Sequence, residues 1–109
     1  MPIFEKLQKA TDERDAEVYI GLMADDCVFV RHQTGQEMKR DDIAAMLRKM
    51  MAPGGAVMGQ RRCLYENDDI LVVHSVNDYP DGTREAVLAA YSLKDGKITR
   101  LETGATPLA

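Results

Sequence analysis

Ile70-Leu71-Val72-Val73-His74-Ser75-Val76-Asn77, followed by Pro80-Asp81-Gly82, Arg84 to Leu93, Asp95-Gly96 and Lys97 to Thr103, decides how this chain folds. It holds three apolar, β-branched runs separated by short polar turns. Pro80 presets its own φ and Gly82 accepts a positive one, so that tripeptide turns the chain. Asp95-Gly96 is a two-residue hairpin signal. Upstream, Ala56 to Glu66 reads as a further long strand, joined to Ile70 by the turn residues Asn67-Asp68. Turns this short join antiparallel neighbours, so the second half of the chain is expected to be a meander. Cys27-Val28-Phe29-Val30-Arg31-His32 adds a strand earlier on, bounded by Asp25-Asp26 and Thr34-Gly35.

The remaining first half has helical spacing. Phe4 and Leu7 lie one turn apart in a segment from Ile3 to about Lys9, ended by the polar run Thr11 to Arg14. Ala16, Tyr19, Ile20 and Met23 fall at i, i+3, i+4 and i+7, and Asp12 or Asp15 is placed to cap that helix. Ile43, Met46, Leu47 and Met50 repeat the spacing. Asp41 and Asp42 at the start and Arg48 and Lys49 at the end suit the helix dipole, and Pro53 with its glycines stops it. Helices gathered at one end and strands at the other predict an α+β fold: a curved antiparallel sheet wrapped around three N-terminal helices.

Composition narrows the function. The 109 residues suit one domain, 1–109, and carry 14 Lys plus Arg against 18 Asp plus Glu, a net charge of -4. An acidic chain without a basic stripe is poorly suited to nucleic acid, and no apolar run of about 18 residues is present to span a membrane. The N-terminal segment lacks the apolar core of a signal peptide, so a cytoplasmic location is expected. Cys27 and Cys63 alone make no disulfide framework, and the two histidines and two cysteines show no metal-ligand spacing, so neither a metal nor a cofactor is expected.

Three segments resemble the nuclear transport factor 2-like superfamily, which includes SnoaL-like polyketide cyclases and ketosteroid isomerases. Asp15 to Phe29 is similar to its second helix and first strand, Arg40 to Leu47 to its third helix, and Tyr91-Ser92-Leu93-Lys94-Asp95-Gly96-Lys97-Ile98 to its final hairpin. The glycine that usually precedes the third helix is Lys39 here. The resemblance implies a cone-shaped, cystatin-like roll with a pocket between sheet and helices, and a homodimer formed through the outer face of the sheet. It also supplies positions for the isomerase machinery, and these hold Leu7, Arg31 and about Ala89. Arg31 cannot act as the base of that reaction, and Leu7 and Ala89 cannot act as its oxyanion donors, so ketosteroid-type isomerisation is not expected.

The residues left for a site are few. Alternation places Phe29 and Arg31 on one face of their strand, and Val87, Ala89 and Tyr91 on one face of theirs. Arg31 either holds a carboxylate or other oxyanion or pairs with Glu102 or Glu85. His74, in the most apolar strand, is either a cavity acid or base or a satisfied core or interface histidine. Both faces of its strand are apolar, so alternation leaves its direction open. Tyr91 is the second candidate proton donor, Tyr65 and Met58 are candidate ligand contacts with Phe29, and Arg61-Arg62 reads as a solvated strand face. These readings predict a pocket for a modest apolar molecule with an anionic or carbonyl oxygen. They leave open whether a reaction follows or the chain is a non-enzymatic binding or dimerisation module.

Overall fold

The computed structural model describes residues 2–108, with the side chains of all but Met58 and Gln60. Its elements are α1 (Ile3–Asp12), α2 (Ala16–Gly21), β1 (Met23–Arg31), β2 (Gln36–Lys39), α3 (Arg40–Met51), β3 (Val57–Glu66), β4 (Ile70–Asp78), β5 (Arg84–Lys94) and β6 (Lys97–Leu108). The strands form one six-stranded sheet in the order β2-β1-β6-β5-β4-β3. The α+β fold and the β3 to β6 meander follow the reading of the sequence.

Three differences have physical causes. First, α2 stops at Gly21 although its apolar spacing continues to Met23, because the Leu22 carbonyl accepts the Ile98 N–H at 2.8 Å and the chain enters the sheet there. The Asp25-Asp26 pair therefore lies inside β1, where the register shifts between Met23 and Val28. Second, β1 runs parallel to β6, so the sheet is not wholly antiparallel. Third, β2 is a four-residue edge strand with only Met38 buried, too short and polar to show alternation.

The turns form as their residues dictate. Asp95 and Gly96 have φ of 52° and 75°, the pair of positive values that a tight hairpin requires. Asn67 Oδ1 accepts the N–H groups of Asp69 and Ile70, both at 2.8 Å, and so shapes the β3–β4 turn. Asp15 caps α2 by accepting from the Val18 N–H at 3.2 Å. Pro2 gives α1 no side-chain cap, and Glu66 of β3 takes its place, accepting from the Ile3 N–H at 2.6 Å.

All three helices pack on one face of the sheet. Leu71, Ile43, Ile98 and Cys27 are the largest wholly buried side chains, so the core lies where β4, β6 and β1 meet α3. Arg14 locks the end of α3. Its guanidinium donates to the carbonyls of Met50, Met51, Ala52 and Ala56 at 2.7 to 3.1 Å, satisfying acceptors that a helix C-terminus leaves open. Charged hydrogen bonds of this kind contribute about 1.5–3 kcal/mol each, and part of this cluster is solvated. Arg14→Leu is therefore expected to lower unfolding free energy by about 2–3 kcal/mol, measured by urea denaturation. A loss below about 0.5 kcal/mol, the range of an ordinary surface change, would refute the clamp.

Candidate functional site

The sheet and helices do not meet everywhere. A cavity of about 330 Å³ remains between them, within the range of small-molecule sites. Its floor is laid down by strand register, row by row. Phe29 of β1 faces Leu101 of β6, which faces Tyr91 of β5. In the next row Arg31 faces Thr103, Thr103 faces Ala89 and Ala89 faces Val73. Ala105, Val87, Ser75 and Arg61 make a third row, and Glu85 and Asn77 a fourth. All of these residues line the cavity. The helical side is apolar at Phe4, Leu7, Ile43, Met46, Leu47 and Met50, with Gln8, Thr11 and Tyr19 as its polar members.

Two hydroxyls meet in the interior. Tyr19 and Tyr91 are buried, and their oxygens are 3.2 Å apart. Burial pushes the ionisation of both upward, Tyr19 well above the usual phenol range, because a phenolate loses its hydration there. Arg61 opposes this through its positive charge in both cases. The pair is thus neutral at ordinary pH and acts as hydrogen-bond donor and acceptor, not as base.

Arg61 is a largely buried charge. Its side chain is 12% exposed, and its Nη2 donates to Asp12 Oδ1 at 3.0 Å and to the Gln8 carbonyl at 3.4 Å. Among the described residues, the Arg61 Nε, the Gln8 Oε1 and the Asn77 Oδ1 are buried without a partner. Across the sheet, burial and the Glu85 bond push the ionisation of Tyr79 upward, opposed by a bond from the Asn77 side chain and by the charge of Arg31. The Tyr79 hydroxyl donates to Glu85 Oε1 at 2.8 Å.

The sequence-derived site is partly assembled. Phe29, Arg31 and Tyr91 line the cavity, as their strand alternation requires. His74 does not. The concave face of β4 carries Leu71, Val73, Ser75 and Asn77, so His74 lies on the opposite face, between Arg62 and Leu88. Tyr65 is 57% exposed, outside the cavity, because a register shift between Cys63 and Tyr65 turns it away. The Met58 side chain lies outside the described ones. Met46 and Met50 line the cavity, whereas Met51 is in the core. Arg31 forms no ion pair with Glu102 or Glu85 among the described residues, and Glu102 instead meets His32 and Arg100. The Arg61-Arg62 pair splits as alternation demands, but Arg61 points inward; the sequence shows nothing of the α1 carboxylate that receives it. Neither cysteine lines the cavity, and burial pushes the Cys27 thiol up to about 11, which leaves it inert at neutral pH. Among the described residues no group of three His, Cys, Asp or Glu side chains is placed to hold a metal.

A SnoaL-like domain model matches residues 4–101. The chain belongs to the SnoaL-like domain family. Solved structures agree on the fold, including an NTF2-like protein of unknown function from Cytophaga hutchinsonii, 13% identical, with a TM-score of 0.73 over 94% of this chain and 86% of that one. A protein with a cystatin-like fold from Silicibacter pomeroyi is 18% identical, with a TM-score of 0.74 over 97% and 74%. A candidate ketosteroid isomerase from Kribbella flavida is 19% identical, with a TM-score of 0.78 over 96% and 76%. No curated protein matches the chain.

The tyrosine pair gives a pH prediction. A phenol with a raised folded-state pKa contributes stability that is complete below its unfolded value, about 10, and is lost as pH rises through the folded value. Stability should therefore fall as pH rises above about 10, and less steeply in the Tyr19→Phe/Tyr91→Phe variant. Urea denaturation across that interval measures it. Equal slopes in both proteins would contradict neutral burial of the pair.

Proposed function

We propose that this SnoaL-like domain binds a small, largely apolar molecule bearing a carbonyl or anionic oxygen in the cavity between sheet and helices. The supporting observation is a cavity of small-molecule size whose lining is mostly apolar, with polar groups at a few fixed places. Arg31 and Arg61, on opposite walls, are the cations available to such an oxygen, and the Tyr19–Tyr91 pair offers a neutral hydroxyl to it.

Binding is favoured over proton transfer. The positions matching the isomerase tyrosine, base and oxyanion acid are Leu7, Arg31 and about Ala89; all three line the cavity, and none of them offers a proton acceptor. Glu85 is the carboxylate of the lining, but six residues of strand, about 20 Å, separate it from Tyr91. An acid and a base so far apart do not converge on one small substrate. Tyr91 as a proton donor in a SnoaL-like enzyme is the alternative, and turnover of a bound carbonyl compound that is lost in Tyr91→Phe would establish it.

We also propose a homodimer through the convex face. That face carries Val72, Val76 and Ala90 with Leu88, which is 50% exposed. Arg62 lies towards the β3 side of it and Glu102 towards the β6 side. A two-fold axis between β4 and β5 exchanges those sides and sets Arg62 of each copy near Glu102 of the other. His74 then takes the interface role instead of a catalytic one. A cytoplasmic location belongs to the same proposal, since the cysteines are free and no described helix is long and apolar enough to cross a membrane.

Two measurements test these readings. Small aromatic carbonyl compounds should raise the melting temperature of the wild type but not of Ala89→Leu, which fills the cavity floor while keeping the fold. Equal shifts in both would remove the cavity from the account. Sedimentation should give a dimer at micromolar concentration and a folded monomer for Leu88→Lys. A wild-type monomer would overturn the dimer.

A further inference from the structure

The cavity is apolar at one end of the sheet and charged at the other. Its rows run from Phe29, Leu101 and Tyr91 to the pair Asn77 and Glu85. Tyr79, just past the end of β4, lines the cavity beyond that pair. Two opposite charges face this end, Arg31 and Glu85. They form no ion pair with each other, and Arg31 forms none with any described residue. The other cation of the lining, Arg61, is met by Asp12 at 3.0 Å.

Tyr79 stands between the two charges. Its hydroxyl donates to Glu85 Oε1 at 2.8 Å, and the charge of Arg31 reaches the same phenol. Along the sheet, Arg31 is two strands and four residues from Glu85, about 10 Å across and about 13 Å lengthwise. Two extended side chains on a concave surface narrow that separation to a gap without closing it. The atoms on either side of the gap are open. No Arg31 nitrogen and no Glu85 oxygen is among the sealed atoms that lack a partner. The Tyr79 bond occupies Oε1 and leaves Glu85 Oε2 free. Donors therefore stand on one side and an acceptor on the other. A simple carboxylate suits Arg31 but sets its charge against Glu85, and a simple amine does the reverse. A head carrying both signs suits both residues at once.

We propose that this end of the cavity is a subsite for a zwitterionic α-amino acid head, with its carboxylate on Arg31 and its ammonium on Glu85. This rests on the cavity-binding reading above and names the ligand class, a free apolar amino acid or a molecule with the same head. Tyr79 orients the Glu85 carboxylate, and the apolar body lies inward against Val73, Val87 and Leu101.

Isothermal titration with L-phenylalanine, 3-phenylpropionate, 2-phenylethylamine and phenylacetamide tests the proposal. The four probes share an aromatic body and differ in the head: zwitterion, anion, cation and neutral carbonyl. Phenylalanine is expected to bind the wild type at least about tenfold more tightly than each of the others, the size of one charge-assisted hydrogen bond. Glu85→Gln, which keeps an acceptor for Tyr79, should bring phenylalanine down to the affinity of 3-phenylpropionate. Arg31→Met should bring it down to that of 2-phenylethylamine. Any other probe binding the wild type as tightly as phenylalanine would overturn the subsite, as would a phenylalanine preference that survives Glu85→Gln, and both leave the cavity reading standing. Failure of all four probes to bind would overturn the cavity reading and the subsite with it.

Discussion

The register of β4 against β5 is the constraint on which the site depends. Nine consecutive pairs, from Ile70 opposite Ser92 to Asp78 opposite Arg84, run without interruption. Side chains alternate across a strand, so a slip of one residue would exchange the two faces. Val73, Ser75 and Asn77 would leave the cavity, and Val72, His74 and Val76 would enter it. The uninterrupted pairing and the burial of Leu71 beneath it hold the concave face in place, and β6 and β1 carry the same rows across the sheet.

On that face, packing and polarity are divided by position. The row of Phe29, Leu101 and Tyr91 is buried and forms the apolar end of the cavity. Farther along the strands the helices no longer fill the space, and polar side chains appear at Arg31, Thr103, Ser75, Arg61, Asn77 and Glu85. Some of these satisfy one another, as Tyr79 and Glu85 do. Others do not, and a buried polar atom left dry costs about 1–3 kcal/mol. A domain of this size tolerates such a cost where the interior has work other than packing. The Asp12 carboxylate is what allows Arg61 to sit inward, so the end of α1 belongs to the site even though Asp12 is itself exposed.

Much of this was legible in the sequence because it rests on local rules. Asn67, Pro80, Gly82, Asp95 and Gly96 announce their turns, and helical spacing announces α1 and α3. Alternation grouped Phe29 with Arg31 and Val87 with Ala89 and Tyr91, and the family resemblance supplied which of the two faces is inward. What could not be read depends on pairings between distant segments. The end of α2 at Gly21 is set by Ile98, the facing of His74 by the pairing of a strand apolar on both sides, and the direction of Tyr65 by a register shift. Arg61 looked like a surface residue because its partner, Asp12, lies 49 positions away in a helix whose path the strand pattern does not reveal. The amide oxygens of Gln8 and Asn77, unpartnered among the described residues, have no signature in sequence, since only burial distinguishes them from solvated ones.

In the proposed function the concave cavity, and not the convex sheet face, is where this domain meets a small molecule. Methyl-resolved nuclear magnetic resonance during titration with phenylacetamide tests it most directly. The account predicts saturable shifts at Val73, Val87, Leu101 and Leu47, which line the cavity, with Val72, Val76 and Leu88 unmoved. Shifts confined to Val72, Val76 and Leu88, or none at any of these methyls at millimolar probe, would contradict it.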